Sequence, residues 1–197
     1  MSKYKMRFAN KISGLRILII PFFISTLLYY QPQKDYLRFV ALGIFLLAIS
    51  TDAIDGYIAR IKNEKTAIGI ILDPLADKLL LASGYICTYT VGNFPEGIKL
   101  PLWIVVVVVS RDFLIFLGIA IIYLTKGKLR IFPSVWGKLT TFFQMITIVS
   151  LLLQLRITGI LSYIMVVFTF VSGLSYLKRG INSLNGSDIE FDSGTIN

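Results

Sequence analysis

Six long apolar runs constrain this chain more than any other feature of its sequence. They fall at about residues 14–30, 36–50, 69–91, 102–124, 134–155 and 159–177. A helix needs about 20 largely apolar residues to cross a bilayer. Six such helices consume most of a 197-residue chain and leave no room for a sizeable soluble domain. Hydrophobic residues make up 55% of the chain and charged residues only 16%. An ordinary soluble domain carries about a quarter charged residues. The pattern predicts a single all-α, polytopic integral membrane domain over residues 1–179, with six transmembrane helices and a short interfacial N-terminal segment. The second run continues into a polar helical extension over 51–60. Residues 180–197 are rich in Ser, Asn, Asp and Gly and read as a polar, disordered tail. A cleavable signal peptide is the rival reading of the first run. No small-residue cleavage site follows it, and Tyr29, Tyr30, Gln31 and Pro32 resemble an interfacial belt.

The basic residues orient these spans. With the N-terminus inside, Lys34, Arg38, Lys99 and Arg156 fall outside, and Arg16, Lys78, Arg111 and Lys138 lie within or at the ends of spans. The other twelve of the 20 Lys and Arg residues are then cytoplasmic. That bias predicts a multi-pass protein of the cell (inner) membrane, with both termini and the site between them on the cytoplasmic side. The net charge of +9 is then ascribed to loops facing anionic lipid, and no nucleic-acid partner is expected. Asn185-Gly186-Ser187 matches a glycosylation sequon but would face the cytoplasm, so it is discounted.

The chain has no histidine. A Ser-His-Asp triad, a phosphohistidine and imidazole metal ligation are therefore excluded. The lone Cys87 sits in an apolar run and reads as an inert thiol.

Chemistry falls instead to four carboxylates at the ends of greasy helices. Asp52 and Asp55 are three residues apart, and Asp73 and Asp77 are four apart. Each pair therefore projects from one face of its helix. The connection over 62–67 is short, which predicts antiparallel neighbours whose carboxylates converge at one mouth. An aspartate at mid-membrane costs about 2.5–3.5 kcal/mol, so four of them need a compensating cation. Oxygen-only ligation suits Mg²⁺ or Mn²⁺, and two such ions form a clamp for phosphoryl or pyrophosphate chemistry. Salt bridges to Arg16, Arg60, Lys78, Arg111 and Lys138 are the plainer alternative. Gly56, Ala59 and Gly69 stand on the same helices and let a ligand or a neighbouring backbone approach closely. Pro74 follows Asp73 and is expected to kink or start the third span.

Asp52, Asp55, Gly56, Ala59, Arg60, Gly69, Asp73 and Asp77 together fit D-x2-D-G-x2-A-R-x8-G-x3-D-x3-D. This run resembles the signature of the CDP-alcohol phosphatidyltransferases, and the six spans fit that family too. The resemblance implies phospholipid biosynthesis: an alcohol attacks the lipid-side phosphorus of CDP-diacylglycerol and CMP leaves. It implies that Asp52, Asp55 and Asp73 hold one metal and that Asp52, Asp73 and Asp77 hold a second. Asp77 would also be the base for the acceptor hydroxyl. Gly56, Ala59 and Gly69 would line the cytidine pocket and Arg60 would hold the pyrophosphate. A homodimer is the family expectation.

The stretch Leu72-Asp73-Pro74-Leu75-Ala76-Asp77-Lys78 resembles two branches of the family. One uses glycerol 3-phosphate as acceptor, and the other makes cardiolipin from phosphatidylglycerol. Asn10, Ser13 and Arg16 resemble the start common to both, with Asn10 and Ser13 assigned to the CDP-lipid. Gly137, Lys138, Thr141 and Gln144 resemble their fifth-span pattern. Arg16, Arg111 and Lys138 are the candidate acceptor-binding cations, Arg111 and Lys138 expected on the buried side. Pairing of Arg111 with Asp112 or with the aspartates is the competing account. Ser110-Arg111-Asp112 and Ile119 depart from the glycerol 3-phosphate branch, which carries Ala-Arg-Glu and a second arginine there. The remaining features favour a small phosphorylated alcohol, glycerol 3-phosphate, with phosphatidylglycerol as the alternative. A small membrane transporter is the non-enzyme rival, but no repeated halves are visible and the acidic cluster sits at one side.

Overall fold

The computed structural model describes residues 8–62, 67–95, 97–126 and 135–184, with side chains described for 16–51, 75–95, 97–118 and 135–178. Among the described residues the fold is six α-helices and one 3-10 turn, with no strand. The helices are α1 (Phe8–Leu28), α2 (Tyr36–Lys62), α3 (Ala67–Val91), α4 (Leu102–Lys126), α5 (Val135–Leu152) and α6 (Thr158–Leu184). All six expected helices are present, and α2 carries the polar extension without a break. Three boundaries differ from the sequence reading. α1 starts at Phe8, about six residues before the first apolar run, so residues 8–10 of the expected interfacial segment (1–10) join the first helix, while 1–7 lie outside the described residues. α3 starts seven residues before Pro74, so the proline neither starts the helix nor divides it. α6 runs to Leu184, past the Gly180 at which the polar tail was expected, while 185–197 lie outside the described residues.

Short connections make successive helices reverse direction. The contacts at one end of the bundle bear this out. At one end, Tyr30 after α1, Arg38 at the start of α2, Asn93 after α3 and Gln154 after α5 meet. Asn93 donates to the Tyr30 carbonyl at 2.9 Å, Gln154 donates to the Tyr30 hydroxyl at 2.9 Å, and Tyr30 stacks on Phe94 at 5.0 Å. Arg38 donates to the Leu152 carbonyl at 2.7 Å and forks onto both oxygens of Asp35 at 2.8 Å. The guanidinium beside Asp35 holds its carboxyl below the usual carboxylate range. Gln154 adopts φ 53°, the left-handed cap that closes α5, with Leu155 donating to Ser150 and Gln154 to Leu151. The opposite end therefore gathers the start of α1, the end of α2 and the start of α3.

α1 packs on both α2 and α3, and α5 packs on α6. The core runs through Phe23, Leu27, Phe45, Leu80, Tyr85, Ile104, Ile148, Leu151 and Met165. Phe23 stacks on Phe45 at 5.6 Å. At Gly84 a Cβ would stand 3.0 Å from Ile148 Cδ1 and 3.4 Å from Phe23 Cε1, so the absent side chain sets how closely α3 meets α5 and α1.

The distribution of polarity is inverted relative to a water-soluble bundle. Phe22, Leu47, Phe113, Leu114, Ile160, Val167, Phe170 and Leu174 are exposed, whereas Arg16, Arg38, Arg111, Asp112, Gln144 and Ser172 are buried. Surfaces of this kind face lipid or a partner. Among the described residues two helices are long and apolar enough to cross a membrane, Val135–Leu152 and Thr158–Lys178; Arg16–Leu28 and Tyr36–Thr51 are shorter apolar stretches. The expectation of six spanning helices thus holds for helix number and class, and by length and composition for two helices among the described residues.

Candidate active site

The aspartates sit on uninterrupted helix. α2 continues through Asp52 and Asp55 to Lys62, and α3 runs from Ala67 through Asp73 and Asp77. Helical geometry at three- and four-residue spacing therefore places each pair on one face. The side chains of Asp52, Asp55, Gly56, Ala59, Arg60, Gly69 and Asp73 lie outside the described residues, as do those of Asn10 and Ser13. Asp77 is half-buried and Arg16 is buried, and both are engaged by neighbours. With alternating helix directions, Asn10, Ser13 and Arg16 at the start of α1 lie toward the same end of the bundle as Asp52–Arg60 and Gly69–Asp77.

The donor set fits a hard divalent cation. It offers carboxylate oxygens only, on two successive helices, in a chain without histidine; the two were expected to pack directly on each other, but among the described residues each packs on α1 instead. The one thiol, Cys87, lies more than two helical turns beyond Asp77 and is buried in the hydrophobic core.

Beside Asp77 the structure assembles a buried polar junction from four helices. Lys78 Nζ lies 3.3 Å from Asp112 Oδ2 on α4, 3.0 Å from Thr141 Oγ1 and 3.4 Å from Gln144 Oε1, both on α5. Gln144 Nε2 donates to Asp112 Oδ2 at 3.3 Å, and Gln144 is fully buried. Arg111 donates to Asp112 Oδ1 at 2.6 Å and, through its other terminal nitrogen, to Ser172 Oγ on α6. The guanidinium also lies 5.7 Å from the Tyr176 ring. Gly137 makes room for that ring, since a Cβ there would approach Tyr176 Oη to 3.1 Å.

Of the acceptor-site candidates, Arg111 is buried as expected, and the Asp112 pairing weighed against it is present. Lys138 is not on the buried side. It is exposed one turn into α5, where a lysine keeps its ammonium in water rather than among the helices. The sequence reading missed Ser172 and Tyr176. Their signal was available: Thr158, Ser162, Thr169, Ser172 and Tyr176 recur at helical spacing in an otherwise apolar α6, which marks one face as polar.

Residues 6–171 match the family model of CDP-alcohol phosphatidyltransferase, a span that includes the whole aspartate motif and the Arg111–Asp112 pair. The chain belongs to this family of phosphatidyltransferases. It is therefore a transferase of phospholipid biosynthesis. The chain is 30% identical to a probable phosphatidylglycerophosphate synthase of Mycobacterium tuberculosis, over 90% of this chain and 83% of that protein. It is also 30% identical to the Bacillus subtilis protein named CDP-diacylglycerol--glycerol-3-phosphate 3-phosphatidyltransferase, over 91% of this chain and 97% of that one. A protein of the same name from Aquifex aeolicus is 30% identical, over 91% and 98%. CDP-alcohol phosphatidyltransferases are membrane-associated enzymes and generally metal-dependent.

Proposed function

We propose that this phosphatidyltransferase moves a phosphatidyl group from CDP-diacylglycerol to the hydroxyl of glycerol 3-phosphate, releasing CMP and phosphatidylglycerophosphate. The observation that carries the reading is the full-length likeness to proteins named for that acceptor, joined to the aspartate motif on two unbroken helices. In this reading Asp77 takes the acceptor proton, and the acceptor oxygen forms a new bond to the lipid-side phosphorus. The bond from that phosphorus to the bridging oxygen breaks, and CMP departs with the electron pair. Asp52, Asp55 and Asp73 would hold one Mg²⁺ or Mn²⁺, and Asp52, Asp73 and Asp77 the other. Such ions neutralise the diphosphate and stabilise the leaving group. Gly56, Ala59 and Gly69 leave room for the cytidine nucleotide, Arg60 meets its pyrophosphate, and Asn10 and Ser13 complete the CDP-lipid site. Arg111 and Arg16, buried, and Lys138, exposed at the head of α5, meet the acceptor phosphate.

The inverted polarity supports six spanning helices in the cell membrane, and the bias of basic residues supports an orientation with the aspartate end and both termini in the cytoplasm. The exposed apolar surface also leaves room for a homodimer within the bilayer. Residues 1–179 would form the membrane domain and 180–197 a cytoplasmic tail whose first turn continues α6.

The test is CMP release by purified protein in detergent with CDP-diacylglycerol and Mg²⁺ or Mn²⁺. Separate tubes receive glycerol 3-phosphate, phosphatidylglycerol, inositol 1-phosphate or serine, and the lipid product is identified by mass. Release with glycerol 3-phosphate alone is expected. Release with phosphatidylglycerol instead would overturn the acceptor assignment.

A further inference from the structure

The polar junction beside Asp77 holds two cations and one anion, and the two cations are not equivalent. A lysine ammonium has three protons to donate. Lys78 has three acceptors around it: Asp112 Oδ2 at 3.3 Å, Thr141 Oγ1 at 3.0 Å and Gln144 Oε1 at 3.4 Å. Its donor capacity is used by the protein itself. Arg111 has five N–H groups. One terminal nitrogen is engaged by Asp112 and the other by Ser172, while Nε is buried without a hydrogen-bond partner among the described residues. A buried charged donor left unmatched is costly. Arg111 therefore retains capacity for an anionic ligand, and Lys78 does not.

The carboxylate that produces this division is Asp112. One of its oxygens faces Arg111, while the other faces Lys78 and the Gln144 amide. Asp112 is itself buried and fixed from α3 and α5. It thus transmits the rigidity of those helices to the Arg111 guanidinium, whose far arm is fixed by Ser172 on α6. The Tyr176 ring, admitted by Gly137, lies beside the same guanidinium. An arginine recognises a phosphate through the fixed direction of its N–H groups, so its orientation decides affinity.

We propose that Asp112 is a positioning residue for acceptor binding: clamped by Lys78 and Gln144, it orients Arg111 so that the unmatched Nε edge meets the acceptor phosphate. Asp112 touches neither substrate, and Lys78 anchors the clamp without contacting the acceptor. The proposal rests on the acceptor reading given above.

Steady-state kinetics with glycerol 3-phosphate varied at saturating CDP-diacylglycerol test it. Asp112→Asn should raise the acceptor KM by about 10- to 100-fold, the range for misdirecting a charged hydrogen bond. The kcat and the KM for CDP-diacylglycerol should stay within about threefold of wild type, because the chemistry and the nucleotide site are untouched. Asp112→Glu should recover most of the lost acceptor affinity, since it restores the charge. A variant that lowers kcat with the acceptor KM unchanged would overturn the proposal, as would a glutamate no better than the asparagine. If Asp112→Asn does not fold, Ser172→Ala decides the matter. That variant removes one hydroxyl from the other arm of Arg111, and it should raise the acceptor KM by about three- to tenfold with kcat preserved. An unchanged KM there overturns the positioning role. Failure of the acceptor reading is distinguishable, because wild-type protein would then release no CMP with glycerol 3-phosphate. The same variants assayed with the acceptor that wild type does use would then test Asp112 by itself.

Discussion

Replacing Arg38 by methionine should loosen the end of the bundle remote from the aspartates. Arg38 is on the first turn of α2, its side chain is only 9% exposed, and it donates to the last carbonyl of α5, Leu152, at 2.7 Å. A charged hydrogen bond of this kind contributes about 1.5–3 kcal/mol, and its loss leaves a buried carbonyl unmatched. The guanidinium also lies 4.5 Å from the Phe39 ring. Phe39 is exposed, so that contact adds about 0.5–1 kcal/mol. The pair with Asp35 adds little, because that carboxylate is about half exposed. Arg38→Met should therefore cost about 2–4 kcal/mol, or roughly 5–15 °C in thermal midpoint for a chain of this size. Thermal unfolding in detergent, followed by tryptophan fluorescence, reads it. Asp35→Asn is the control and should lower the midpoint far less. The sign with pH follows from the depressed Asp35 carboxyl. Its contribution is present above the ordinary carboxylate pKa and is lost as pH falls through the lowered folded value. That acid-side loss should vanish in Arg38→Met. If Arg38→Met costs no more than Asp35→Asn, the carbonyl bond is not what holds α2 to α5 and the reasoning fails.

Further outcomes follow from the site and from the packing. Asp52→Asn and Asp77→Asn should each abolish CMP release while leaving the thermal midpoint close to that of wild type. Chelation by EDTA should silence turnover, with recovery on Mg²⁺ or Mn²⁺ and little on Ca²⁺, whose looser coordination misplaces a diphosphate. Gly84→Ala should destabilise by about 1–3 kcal/mol, since its Cβ meets Ile148 and Phe23. A midpoint equal to wild type would mean that α3 has room to move at that contact.

The helices were legible because apolar runs of membrane length leave few alternatives, and all six are present. The start of α1 and the end of α6 were not legible. Polar residues there, such as Asn10 and Asn182, carry no apolar signal although the backbone continues as helix. The aspartate motif was legible because its residues are close in sequence and fixed in spacing. The junction of Lys78, Asp112, Gln144 and Ser172 was not, because its members come from four helices and meet only after packing. Arg38 shows the same limit. As a residue it reads as one more cation near a loop, and only the fold reveals that it caps α5. Lys138 erred in the other direction: its position in the chain suggested burial, and its flexible stem instead carries the ammonium to the surface.

The measurement that bears most directly on the central claim compares wild type with Asp73→Asn in CMP release from CDP-diacylglycerol and glycerol 3-phosphate, with Mg²⁺ or Mn²⁺ present and folding checked by thermal midpoint. The account predicts steady release by wild type and essentially none by the folded variant. Full release by Asp73→Asn would contradict the four-aspartate site, and no release by folded wild type would contradict the glycerol 3-phosphate assignment.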